Sequence, residues 1–172
     1  PDVFLEVISL FKLVCLLLSF LMPMGLFAKS IGIKDKQSLN LRIVNTAREF
    51  KGLNYNFGSD KIANGLDCSS FVQKIYGFYG IKLPRVSSEQ YRYGTSINSL
   101  NELMPGDLVF FETYRPGPSH VGIYSDKTSY FIHAGSSLGV TESNIDSDYF
   151  KNRYYGAKRI LPDSDKNFAV YG

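Results

Sequence analysis

Cys68, His120 and His133 are the residues of this chain whose types could together carry out covalent chemistry. A cysteine hydrolase needs a thiol of lowered pKa and an imidazole within reach to take its proton and return it to the leaving amine. A third polar group should hold that imidazole in one tautomer. Cys68 stands where a helix should begin, just after the turn signal Asn64-Gly65. The free N–H groups and dipole of a helix start favour a thiolate. His120 and His133 fall on two strand-like runs, 120–124 and 130–134, joined through Ser125-Asp126-Lys127. A tight turn centred on Asp126-Lys127 sets the two histidines directly opposite one another on one face of a sheet, where one can orient the other. Each residue also has a plainer reading. A lone cysteine is often a small buried hydrophobe, and a strand histidine is often structural. One Cys with two His could also bind zinc, with Asp67 or water completing the site. The short Cys-x-x-Cys or His-x-x-x-His pairing of a strong metal signal is missing.

The chain that must position these groups has 172 residues, enough for one domain with a real core. A hydrophobic fraction of 44% against 20% charged residues excludes a disordered chain. With 12 Tyr, 13 Phe and no Trp, the aromatics suit a β-rich core or a groove for an extended ligand. A net charge of +3 helps approach to an anionic polymer. It is too small to point to nucleic acid, and no Lys/Arg block changes that.

The run from Leu13 to Phe27 follows Lys12 and closes on Ala28-Lys29-Ser30, the pattern of a secretory signal peptide. The run is roughly 16 residues, short of the ~20 that span a bilayer, so an uncleaved membrane segment is the second reading of residues 1–30. Cleavage after Ala28 or Ser30 removes Cys15 and leaves Cys68 as the one cysteine of an exported chain. A free thiol in an oxidising compartment is a liability unless it is used.

Beyond this leader, Ser38 can cap a helix through Leu39, Leu41, Ile43, Val44, Ala47 and Phe50, ended by Gly52. A second helix begins at Asp67 or Cys68, carries Phe71, Val72, Ile75, Tyr76 and Tyr79, and closes at Gly80. Ser87 or Ser88 can cap a short third helix. Strands follow at 108–111, 120–124 and 130–134, then a short one at Val140-Thr141 and a last one at 154–161. Helices first and an antiparallel meander after give an α+β fold, with the N-terminal helices packed on a central antiparallel sheet. The domain is expected over 38–161, with a loose tail at 162–172.

Six blocks of this sequence resemble the NlpC/P60 family, in the family's order and over roughly residues 40–161. They are Asp67-Cys68-Ser69-Ser70-Phe71-Val72; Leu83-Pro84-Arg85 with Ser87-Ser88-Glu89-Gln90; and Leu103-Met104-Pro105-Gly106-Asp107 with its following strand. The others are Ser119-His120-Val121-Gly122-Ile123-Tyr124, Phe131-Ile132-His133-Ala134, and Tyr154-Tyr155-Gly156-Ala157-Lys158-Arg159. The resemblance implies a papain-like domain that cleaves peptide bonds in peptidoglycan stem peptides. Cys68 would be the nucleophile, His120 the general base and acid, and His133 the residue that orients it. Tyr55, Asp67, Ser69 and Arg85 would contact substrate, and the Cys68 N–H would be one oxyanion donor. Gln90 could line the groove, and Asp107 reads as structural. No cofactor or metal is implied, and the chain is expected to act as a monomer, with the identity of any regulatory or adaptor protein left open. Ser70, Ser59 and Phe57 depart from the family's commoner residues and bear on the shape of the groove. The competing readings are an enzyme on the same scaffold with another amide or ester substrate, a non-catalytic wall-binding module, and a zinc hydrolase.

Overall fold

The computed structural model describes residues 38–161. The expected leader at 1–30, with Cys15, and the expected tail at 162–172 lie outside the described residues. Among those described, no helix is long and apolar enough to cross a membrane.

Helix α1 (Leu39–Glu49) is capped by Ser38, whose side chain accepts from the Leu41 N–H, and buries Ile43, Val44 and Ala47. Helix α2 (Cys68–Gly77) buries Phe71, Val72, Ile75 and Tyr76. It stops short of the expected Gly80: Gly80 has φ +76, and residues 78–80 form a turn. Helix α3 (Ser87–Gln90) has Val86 at its N-cap and no side-chain cap. The serine expected to cap it is used elsewhere, since the Ser87 hydroxyl donates to the Pro118 carbonyl at 2.8 Å.

The six strands are β1 (Thr95–Ile97), β2 (Leu108–Phe111), β3 (His120–Tyr124), β4 (Tyr130–Gly135), β5 (Gly139–Asn144) and β6 (Tyr154–Arg159). They form one sheet in the order β1-β6-β2-β3-β4-β5, every pair antiparallel. Strand alternation divides the interior in two. Leu108, Phe110, Val121, Ile123, Ile132 and Ala134 meet the apolar faces of α1 and α2. Val109, Phe111, Tyr124, Phe131 and Ala157 form a second cluster with Ile145 and Phe150, the latter from the one-turn helix α4 (Asp148–Lys151).

The hairpin that carries the histidines differs from the tight turn expected. Ile123 faces Ile132 and Tyr124 faces Phe131, where the tight turn would have set Ile123 against Tyr130. The loop is longer because Ser125 N–H bonds the Tyr130 carbonyl at 2.9 Å and Ser129 adopts φ +65. The register therefore moves by two residues. An even shift keeps each side chain on its face, so His120 and His133 are diagonal rather than direct neighbours.

Gly122 makes this diagonal contact possible. A Cβ there would lie 2.5 Å from Phe131 Cδ2, 2.9 Å from the Ile132 carbonyl oxygen and 3.1 Å from His133 Cβ. Gly122→Ala is expected to cost roughly 2–3 kcal/mol of stability by overpacking, read as a lower denaturant midpoint at unchanged m-value. A midpoint within error of wild type would contradict this packing of β3 on β4.

Candidate active site

Asp67 sets the start of α2. Its carboxylate accepts from the Ser70 N–H at 2.8 Å, and the Ser70 hydroxyl accepts from the Asp67 N–H at 3.0 Å, a reciprocal cap. The serine that departs from the family's glycine thus completes the cap. The same carboxylate takes both arms of the Arg85 guanidinium, at 2.6 and 3.0 Å, and also accepts from the Gly58 N–H and the Ser69 hydroxyl. Burial alone would push the Asp67 carboxyl up, but the Arg85 fork and the Ser70 N–H outweigh it and hold it below the usual carboxylate range. Arg85 also donates to the Ser69 hydroxyl and the Ser59 carbonyl, so its donors serve the loop and helix start behind Cys68. Gln90 is fully buried and donates to the Ser69 and Pro84 carbonyls, a support of α2 rather than a groove wall. Asp107 is buried and forked to Arg159.

Cys68 is the first residue of α2 and only 5% exposed. Its thiol was expected to be lowered by the helix start. Instead, burial pushes it up to about 11. The backbone N–H groups of Val121, Ser69 and Cys68 itself pull the other way, but less strongly. The start of α2 supplies only part of the compensation that losing water requires. Val121, whose N–H acts on the thiol, follows His120 on β3.

His120 Nε2 lies 2.8 Å from His133 Nδ1, and His133 Nε2 lies 2.9 Å from Ser143 Oγ. Both histidines are buried, on the sheet face opposite α2, among aromatic rings. His133 stacks on Phe131 at 4.7 Å and meets the edge of Phe150 at 5.4 Å. Burial lowers the His120 imidazole to about 4, and burial together with His120 takes His133 well below its ordinary value. With Nε2 of His120 engaged by His133, Nδ1 is the ring nitrogen left for another partner.

The low His120 value bears on stability. Neutral in the folded protein to about pH 4, it protonates in the unfolded chain near 6.5, so the unfolded state binds the extra proton between these values. Stability is therefore fully present above about pH 6.5 and falls as pH drops towards 4, by about 3 kcal/mol from this group. Asp67 adds its loss lower, as pH falls through the ordinary carboxylate range. Urea midpoints at pH 7 and 4.5 test this, and His120→Gln should flatten the slope.

A groove of about 630 Å³ opens over the pair, walled by Tyr55, Phe57, Tyr114, Leu138, Tyr149 and Phe150, with Ser143 and both histidines also lining it. Among the described residues, no Asp, Glu, Lys or Arg lines it. Burial and the nearby Cys68 charge raise Tyr55, to about 12, and also Tyr114. The structure thus gathers His120, His133 and Tyr55 at one groove, sets Cys68 near enough to Tyr55 to act on its hydroxyl, and bonds Asp67, Ser69 and Arg85 to each other at the helix start. Sequence reasoning missed Ser143, Tyr114 and Phe150. Tyr114 could have been noticed as an aromatic just ahead of the Pro116-Gly117-Pro118 break that leads into the histidine strand.

Asp67 gives its oxygens to Arg85, Ser69, Ser70 and Gly58, so it does not complete a zinc site with Cys68 and the histidines. Among the described residues no group of three or more His, Cys, Asp and Glu is placed to hold a metal ion.

The model of the NlpC/P60 family matches residues 52–159. The Escherichia coli (strain K12) murein DD-endopeptidase MepS/murein LD-carboxypeptidase is 40% identical over 124 residues, which is 72% of this chain and 64% of that one. The gamma-DL-glutamyl hydrolase of Bacillus subtilis (strain 168) is 36% identical over 128 residues, 73% of this chain and 30% of that one. The chain thus spans less than two thirds of either relative's length. The crystal structure of an NlpC/P60 family protein from Bacillus cereus ATCC 10987 superposes with a TM-score of 0.63 at 32% identity, covering 70% of this chain and 39% of that one.

Proposed function

The chain belongs to the NlpC/P60 family, and on that premise we propose that it is a peptidoglycan peptidase that hydrolyses peptide bonds of the stem peptides by a thiol mechanism. The observation that carries the reading is the 2.8 Å contact of His120 Nε2 with His133 Nδ1, which leaves His120 Nδ1 to the thiol of Cys68. With the thiol raised and the imidazole lowered, the resting pair is neutral thiol and neutral imidazole. The proton passes from sulfur to His120 Nδ1 as the sulfur attacks the scissile carbonyl, general-base catalysis rather than a preformed ion pair. The negative charge moves to the carbonyl oxygen, where the Cys68 N–H at the helix start is a donor. His120 then protonates the leaving amine, and water hydrolyses the thioester.

Tyr55 forms part of the substrate wall. Asp67, Ser69 and Arg85 hold the loop before Cys68 and the start of α2, and reach substrate only where their mutual bonds leave a free edge. The uncharged groove suits the amide and methyl groups of a peptide more than its charged ends. Scissile bonds compatible with the relatives are the γ-D-glutamyl–diamino acid bond and the cross-link. The site of action is the cell envelope, reached by export. Purified peptidoglycan incubated with the protein should release fragments whose masses name the bond. No release by folded protein with a reactive thiol would turn the reading to another amide substrate.

A further inference from the structure

We propose that Ser143 is a positioning residue that closes the proton relay behind His133, accepting from His133 Nε2 and so keeping His120 in the tautomer that can take the thiol proton. The inference rests on the catalytic reading of Cys68, His120 and His133.

Only one proton can occupy the 2.8 Å contact between His120 Nε2 and His133 Nδ1. With both rings neutral, its position fixes both tautomers. Carried on His120 Nε2, it leaves His120 Nδ1 as a lone pair, a base. Carried on His133 Nδ1, it forces the His120 proton onto Nδ1, and the ring can no longer accept from the thiol. The catalytic reading of Cys68 selects the first arrangement, since only there does His120 Nδ1 carry the lone pair that takes the thiol proton. The order then runs outward. Cys68 donates to His120, His120 Nε2 donates to His133 Nδ1, and His133 Nε2 donates to Ser143 Oγ at 2.9 Å.

Ser143 reaches this position through β5. Thr141 pairs with His133, and Ser143, two residues on, lies on the same face at the diagonal. His133 is 5% exposed and ringed by Phe131 and Phe150, so its Nε2–H has few other acceptors. When His120 becomes imidazolium, the charge is shared along the same chain, and an acceptor at its end favours that state. The Ser143 hydroxyl proton makes no other bond among the described residues and faces the groove, open to water or a peptide carbonyl. The titratable groups on the groove walls are Tyr55, Tyr114 and Tyr149 beside the two histidines, with Cys68 on α2.

The test is the pair Ser143→Thr and Ser143→Val, which have the same shape and both suit a strand but differ in the hydroxyl. Ser143→Thr should keep kcat within about threefold. Ser143→Val should lose about tenfold or more in kcat with KM little changed, the bias that one hydrogen bond imposes on a tautomer. Ser143→Ala repeats the loss should the valine fail to fold. Histidine-labelled 15N NMR of the unreacted protein reads the tautomers directly. Wild type should show His133 protonated on Nε2, and the valine or alanine variant a mixture of both tautomers. Unchanged kcat in Ser143→Val, or a lower kcat with the tautomers unaltered, would overturn the proposal. The NMR arm needs no turnover, so a protein inactive on peptidoglycan still tests the relay.

Discussion

Cys68→Ala is expected to lower the release of peptide fragments from peptidoglycan by on the order of 10⁴- to 10⁶-fold, because it removes the nucleophile that carries the covalent intermediate. The fold should survive. The side chain is small and 5% exposed, and the cap formed by Asp67 and Ser70 is built without it. Melting within a few degrees of wild type, by circular dichroism, separates lost chemistry from lost structure. Cys68→Ser should be nearly as poor, since an alcohol in the same dry position holds its proton still more tightly than the thiol. Fragment release above about one per cent of wild type in the alanine variant would remove Cys68 from the mechanism.

The second large effect is that of His120→Ala, for which a loss on the order of 10³- to 10⁵-fold in kcat is expected. The thiol is held high by burial, so without a base next to it almost none is ionised at neutral pH. The double variant Cys68→Ala, His120→Ala should be no slower than Cys68→Ala alone, because nucleophile and base act as a unit and their losses do not add. His133→Gln should be milder in kcat than His120→Ala, since it acts through His120 rather than on the substrate. Steady-state rates on a soluble muropeptide measure all three. A His120→Ala rate within tenfold of wild type would assign the base elsewhere.

The positions of these groups were readable from the sequence to different depths. The apolar spacing of Ile43, Val44 and Ala47, and of Phe71, Val72 and Ile75, is helical and gives α1 and α2. The runs at 108–111 and 120–124 read as strands because Pro105-Gly106-Asp107 and Pro116-Gly117-Pro118 bound them, and every residue in them is buried. The start of α2 at Cys68 followed from the Asn64-Gly65 turn just ahead of it, and Asp67 caps it. The hairpin register did not follow. Nothing in Ser125-Asp126-Lys127 says that Ser129 will take a left-handed turn and lengthen the loop. The histidines remained neighbours only because the shift was even.

β5 was seen as Val140-Thr141 alone, because Thr141, Glu142, Ser143 and Asn144 lack an apolar alternation. Its Glu142 is paired by Arg48, Lys51 and Lys127 from elsewhere in the fold, partners that no local pattern shows. With the rest of β5 unseen, Ser143 was unseen as well. β1 is three residues at the sheet edge, and α4 is a single turn, too short for periodicity, though its Phe150 walls the histidine pair. The thiol value was misjudged for a reason of magnitude. A helix start and three N–H groups stabilise a thiolate, but at 5% exposure the lost hydration is the larger effect.

A thiol mechanism passes the acyl group through Cys68, and this can be intercepted. The decisive measurement is mass analysis of the products formed from a defined muropeptide in the presence of hydroxylamine. An acyl thioester partitions between water and the added nucleophile, so the account predicts both the free acid and the hydroxamate at the newly cut carbonyl, each absent with Cys68→Ala. Free acid alone, formed at the same rate with and without Cys68, would contradict a covalent intermediate on this residue.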